Sequence, residues 1–201
     1  MTDWYGRGIT VTPGGSQTFS RMHGKMGPRT FPKIATRAEG AYIWDVDGNR
    51  YIDLAGANAS APLGFNHPRV VQAVRDELGR GGTLSLPTQI EVEASEAMIN
   101  EVPVGDMVRW VRTGSEAVSG AIRTARHVTG KELVIVFDGS YHGWHPWTDC
   151  HHTKASVEPE EVDDAGLEFV DAAAVLVEPP RMTPITTEYI DWLRTLRREC
   201  T

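Results

Sequence analysis

One segment narrows the folds open to this chain more than any other: WVRTGSEAVSGAIRTARHVTGKELVIVF, residues 110–137. A β-prone run stops at Thr113, Gly114, Ser115 and Glu116 and passes directly into a stretch with apolar residues at helical spacing. After Gly130 comes a wholly apolar run, Leu133 to Phe137, of the kind that is buried on both faces of a parallel sheet. The pattern predicts a strand over 107–111, a helix from about Ser115 to Val128 and a strand over 133–137. Such a βαβ unit is expected to be right-handed, with its strands parallel. A later run, AAAVLVEPP, and a capped helix, TTEYIDWLRTLRREC, with Tyr189, Ile190, Leu193 and Leu196 at helical spacing, continue the α/β alternation. No internal repeat and no low-complexity tract interrupts it.

Upstream, AYIWDVDGNRYIDL places two short β-rich runs around Asp47, Gly48 and Asn49, a hairpin signal. NHPRVVQAVRDELGRGG opens a helix with Pro68 near its first turn, sets Val70, Val71, Val74 and Leu78 on one face, and stops at glycine. A second helix is expected through QIEVEASEAMINEV. The first forty residues are rich in Gly, Pro and Ser and read as an extended segment that needs a surface to lie on. After the last helix an α/β pattern would next require another buried strand, so the architecture reads as unfinished. Buried-type strands such as LVIVF and AAAVLV at a sheet edge would then drive self-association or the search for a partner.

Composition enters where it excludes functions. A net charge of -7 and a pI near 5.5, with no basic run, disfavour a nucleic-acid or anionic-membrane surface and favour small-molecule chemistry. No run approaches the roughly eighteen apolar residues of a membrane span. MTDWYGRGIT has no apolar signal core, and Cys150 and Cys200 are the only cysteines. The expectation is a soluble, cytoplasmic protein without a disulfide framework.

The Thr113–Glu116 junction supports two readings. Threonine and glutamate fit a capping box, which accounts for both without any ligand. Gly114 favours an anion, because a residue without a side chain at a strand-to-helix turn lets phosphate oxygens reach backbone amides at the positive end of the helix. The Walker loop is excluded, since Ala125 stands where the glycine leading to Gly130-Lys131 would have to be, and no dinucleotide fingerprint is present. The next strand ends in FDGSYHGWH, which brings Tyr141 and His142 beside the first turn if the strands are neighbours. A flat ring beside a phosphate cradle points to a flat phosphorylated cofactor. The competing reading is a metal held by His142, His145, Cys150, His151 and His152, although their spacing matches no common zinc pattern and Trp144, Pro146 and Trp147 look like loop packing.

GAYIWDVDGNRYIDL, GFNHPRVVQAV, TGSEAVSGAIRTAR, FDGSYHGWH and AAVLVEPP occur in the order and approximate spacing of class III aminotransferases. The chain resembles that family over nearly its whole length, and TPGGSQTFSR looks most like the branch containing glutamate-1-semialdehyde aminomutase. The resemblance implies a fold type I pyridoxal-phosphate enzyme: an α/β fold with a mostly parallel sheet, of which this chain is the incomplete N-terminal part. It implies an extended segment over 1–40, a small-domain hairpin and helices over 41–100, and the first part of the cofactor-binding large domain over 101–201. Gly114 and Ser115 would hold the phosphate of pyridoxal 5'-phosphate, Tyr141 would stack on its pyridine ring, and His142 would support that stack. Glu178 sits where the family places a glutamate beneath the cofactor region; a plain acid at the end of a strand before Pro179 and Pro180 is its alternative.

The chain also departs from the pattern. Such enzymes need a lysine for the Schiff base and an aspartate that keeps the pyridine nitrogen protonated. Neither has a matching position here, and Lys25, Lys33, Lys131 and Lys154 read as solvated surface residues. No catalytic residue is therefore assigned. Ser16, Arg21 and Asn58 are the substrate-binding candidates, with Asn58 in the place of the aminomutases' tryptophan and Arg21 a weak match to the carboxylate-binding arginine. After Glu178-Pro179 the family's glycine-containing loop is shortened to PRMTPITTE. Three functions follow: an aminotransferase working with a complementing C-terminal chain, and as a homodimer-like assembly, on an amino donor and a carbonyl acceptor; a remnant or module that binds the cofactor phosphate without catalysis; or an α/β protein similar in fold alone. Within the first, aminomutation is the alternative to transamination.

Overall fold

The computed structural model describes residues 2–22, 32–82, 84–102, 104–137, 140–146, 156–157, 172–179 and 185–199. They fall into two compact units, Met1–Gln89 and Ile90–Thr201.

The first unit begins with helix α1, Trp4–Val11, where the sequence reading expected extended chain. Gly6 and Gly8 are poor helix formers and hide the helix from propensity. The Asp3 carboxylate accepts from the Gly6 amide at 2.8 Å and caps it. A three-stranded antiparallel sheet follows: β1 Ala35–Glu39, β2 Tyr42–Asp45 and β3 Arg50–Ile52. The predicted hairpin joins β2 to β3, with Ile43 opposite Tyr51. Its turn is organised by Asp45, which is buried. The Asp45 carboxylate accepts from the amides of Asp47 and Asn49, from Asn49 Nδ2 and from the Tyr51 hydroxyl, at 2.8 to 3.0 Å. These donors, the Asn49 side chain first, hold its pKa below the ordinary value.

Two further elements complete this unit. Residues Gly56–Ala59 (α2) make one left-handed turn, with φ of 53° at Ala57, 56° at Asn58 and 63° at Ala59. Three successive non-glycine residues in that region crowd Cβ against carbonyl oxygen at about 1–2 kcal/mol each, least for asparagine. Helix α3, Pro68–Gly79, has Pro68 at its start, where a missing N–H costs nothing.

Helix α4, Gln89–Glu101, starts at the last residue of the first unit; the second unit carries the rest of it, with α5 Gly114–Thr129, β4 Leu133–Phe137, β5 Ser156–Val157, β6 Ala172–Leu176 and α6 Thr187–Glu199. β5, β4 and β6 form a parallel sheet in that order, so LVIVF lies between two strands while AAAVLV has one described neighbour. Val134, Ile135 and Val136 are buried, and Ile122 of α5 packs with Val134 and Val136, flanked by Val118, Ala174 and Leu176. The expected strand over 107–111 is not formed. β propensity alone makes no strand without a pairing edge: among the described residues no strand pairs with 107–111, and Met107 stands 92% exposed. The helices expected at 89–102 and from about 115 to 128 are present, with α5 starting one residue earlier.

Candidate active site

Helix α5 buries Ser115, Ser119 and Ile122 on one stripe. Ile122 enters the core, and the two serines continue the same stripe toward the N-terminus. The predicted capping box is formed: Thr113 Oγ1 accepts from the Glu116 amide at 3.2 Å, and Glu116 Oε2 accepts from the amides of Arg112 and Thr113 at 2.8 and 2.9 Å. The Ala117 amide donates to the Thr113 carbonyl at 3.1 Å. The other two first-turn donors, the Gly114 and Ser115 amides, have no hydrogen-bond acceptor among the described residues. A Cβ built on Gly114 would meet no atom within 4 Å. The capping box and the anion site are thus compatible, because Glu116 spends its charge on amides before the helix and leaves the glycine turn open.

Residues 140–146, after β4, lie against this turn. Gly143 has φ of 108°, and a Cβ there would stand 2.6 Å from Ser115 Oγ and 3.0 Å from Ser115 Cα, so only glycine permits the approach. The Trp144 amide donates to Ser115 Oγ at 3.3 Å, which leaves the hydroxyl proton of Ser115 for another acceptor. His145 Nδ1 lies 2.7 Å from Ser119 Oγ. The Tyr141 amide donates to Glu178 Oε2 at 2.7 Å, tying the end of β6 to the same loop, while the Tyr141 side chain is 60% exposed.

The Ser140 hydroxyl donates to the Phe137 carbonyl, so toward His142 Nε2, 2.9 Å away, it acts as acceptor. This assigns the ring proton of neutral His142 to Nε2. Burial lowers the His142 pKa, and the Glu178 charge opposes the shift in part. Between the lowered folded value and about 6.5 the unfolded chain binds more protons, so stability should fall as pH drops through that window. Denaturant titrations at about pH 7.5 and about pH 5.5 test the sign: the wild type should lose more stability at low pH than His142→Asn, and an equal loss would refute the role of His142.

Gly114, Ser115, Tyr141, His142 and Glu178 are therefore brought together in the second unit. Ser16, Arg21 and Asn58 belong to the first. There the Thr18 amide donates to Ser16 Oγ at 3.3 Å, Arg21 Nε donates to Thr18 Oγ1 at 2.8 Å, and Asn58 Nδ2 donates to Ser20 Oγ at 3.5 Å. Asn58 is thereby joined to the Ser16–Arg21 segment across 38 positions. Sequence reasoning missed Gly143 and Ser119. Glycine directly after Tyr141-His142 was the available signal for the first; nothing local marks the second.

His142 and His145 bond different hydroxyls, and Cys150, His151 and His152 lie outside the described residues. Among the described residues no group of three potential metal ligands occurs. Of the lysines, Lys33 places its ammonium 4.5 Å from the Tyr5 ring centroid, and Lys131 precedes β4 at the end away from the loop. Lys25 and Lys154 lie outside the described residues. No described helix is long and apolar enough to cross a membrane.

The family model of the class III aminotransferases matches residues 24–155, which include Asn58, Gly114, Ser115, Tyr141 and His142. This chain belongs to the class III aminotransferase family. A glutamate-1-semialdehyde 2,1-aminomutase of Herminiimonas arsenicoxydans is 34% identical over 98% of this chain and 52% of its own length. The structure of a pyridoxal-phosphate form of the FumI protein from Sphingopyxis sp. MTA144 superposes with a TM-score of 0.79 at 28% identity, over 98% of this chain and 52% of that one. A glutamate-1-semialdehyde-aminomutase from Pseudomonas aeruginosa PAO1 gives a TM-score of 0.78 at 25% identity, over 97% and 48%. The class III chain described here thus spans about half the length of these relatives.

Proposed function

We propose that this chain carries the phosphate- and ring-binding half of a pyridoxal-phosphate-dependent aminotransferase site. The observation that carries the reading is the docking of the Tyr141 loop on the first turn of α5 through Gly143, Trp144 and Ser115, which brings the segment that carries Tyr141 to an open helix N-terminus. The residues present fit the cofactor at that end. The Gly114 and Ser115 amides and the Ser115 hydroxyl would hold the phosphate, with the helix dipole favouring its charge. Tyr141 would lie against the pyridine ring, and Glu178 would fix the loop through the Tyr141 amide. When bound, pyridoxal phosphate supplies an aldehyde that condenses with amines and a ring that withdraws electrons from the substrate.

The Schiff-base lysine and the aspartate for the pyridine nitrogen belong to a complementary C-terminal half, joined in the same longer polypeptide or supplied by a second one. The 92% exposure of Met107 and the 88% exposure of Val104 support surfaces that such a half would cover. The substrates are a small-molecule amino donor and a carbonyl acceptor, the assembly is dimeric, and the compartment is the cytoplasm. Ser16, Arg21 and Asn58 would meet the substrate. Asn58, where the aminomutases have tryptophan, favours release of the intermediate and hence transamination; the second reading, aminomutation, is favoured by the relative from Herminiimonas. Combining the chain with the C-terminal half of that relative, the cofactor and an amino donor separates them. Free keto product is expected, whereas isomerised substrate without keto product would establish aminomutation.

A further inference from the structure

Beyond Ser115, helix α5 carries a second buried hydroxyl on the same stripe. Ser119 lies one turn below Ser115, is 8% exposed, and places Oγ 2.7 Å from His145 Nδ1. The two residues are 26 positions apart, so the contact is tertiary. It lies four residues beyond Tyr141, on the far side of the Gly143 crossing.

We propose that Ser119 and His145 form a positioning clasp that fixes the Tyr141 ring for the cofactor. The loop is held upstream by the Tyr141–Glu178 bond and in the middle by the crossing of Gly143 over Ser115. The Trp144 amide, 3.3 Å from Ser115 Oγ, holds the chain just past that crossing, and the next residue, His145, carries the attachment to the second turn of α5. Gly143, with no side chain to restrict its backbone, is the most permissive joint between Tyr141 and the rest of the loop. A short bond from a buried hydroxyl at the second turn of α5 closes that joint and fixes the angle at which residues 141–144 cross the helix start. The clasp acts through the position of Tyr141. It also gives the two serines of one helix face separate parts: Ser115 meets the Gly143–Trp144 segment, and Ser119 meets His145.

This inference rests on the cofactor reading above, and the test separates the two. Binding of pyridoxal phosphate and of inorganic phosphate to the full chain is measured by calorimetry for the wild type, Ser119→Ala, His145→Phe, the double variant and His145→Asn, whose amide can replace Nδ1. Each single truncation should weaken pyridoxal phosphate about fivefold to tenfold, the size of one lost hydrogen bond, and leave inorganic phosphate unchanged. The double variant should be no weaker than either single one, and His145→Asn should recover most of the affinity. Amide exchange at Tyr141 and Trp144 should quicken in both truncations. Unchanged pyridoxal-phosphate affinity, a parallel fall for inorganic phosphate, additive losses or unchanged exchange would each overturn the clasp. Failure of the wild type to bind pyridoxal phosphate would instead refute the cofactor reading, and amide exchange would still decide the clasp.

Discussion

Gly114→Asp is expected to abolish pyridoxal-phosphate uptake while leaving the fold at least as stable. A Cβ at this position meets nothing within 4 Å, so the new side chain fits without displacing any described atom. Its carboxylate would stand where the phosphate should sit. Like unit charges about 4 Å apart repel by about 4 kcal/mol at an effective dielectric near 20, about a thousandfold in affinity. The effect on folding has the opposite sign. An acid in the first turn gains about 0.3–1 kcal/mol from the helix dipole, and replacing glycine within a helix removes a propensity penalty. Gly114→Asn, of nearly the same shape without the charge, should retain far more affinity. Calorimetry with thermal melting reads both quantities, and Gly114→Asp that still binds the cofactor would show that the anion site lies elsewhere.

Gly143→Ala should have the next largest effect. The substitution forces a side chain into a φ of 108° and drives its Cβ to 3.0 Å from Ser115 Cα, a backbone atom of a helix that cannot give way. A non-glycine residue in such a region costs about 1–3 kcal/mol, and the loop can escape that cost by lifting off α5. Lifting breaks the Trp144–Ser115 bond and carries Tyr141 away from the phosphate turn. Pyridoxal-phosphate affinity should fall about tenfold or more, with fast exchange at the Trp144 amide; the core of Ile122, Val134 and Val136 should stay folded. Wild-type affinity in this variant would mean that the loop does not position the ring.

Much of this site was legible in the sequence because its signals are local. Thr113, Gly114 and Glu116 lie within one helical turn, and the capping box they spell is the one formed. Asp47, Gly48 and Asn49 marked their hairpin in the same way, although the residue that organises the turn, Asp45, was hidden inside the strand pattern. What could not be read depends on distant partners. Ser119 gains its meaning from a histidine 26 positions away, and although Glu178 was a candidate, its bond to the Tyr141 amide 37 positions away was not legible. The strand expected over 107–111 failed for the converse reason, since a β-prone run becomes a strand only where another strand offers it an edge. The left-handed turn at Ala57, Asn58 and Ala59 was equally hidden, because two of its residues are alanines that local propensity never places there.

The central claim is that this chain holds the phosphate and ring of the cofactor while the covalent attachment comes from the complementary half. Saturating the full chain with pyridoxal phosphate, reducing with borohydride and weighing the intact and digested protein tests it most directly. The account predicts saturable, phosphate-competed binding before reduction and no stoichiometric adduct afterwards on Lys25, Lys33, Lys131 or Lys154. One cofactor per chain fixed to any of these lysines would contradict it.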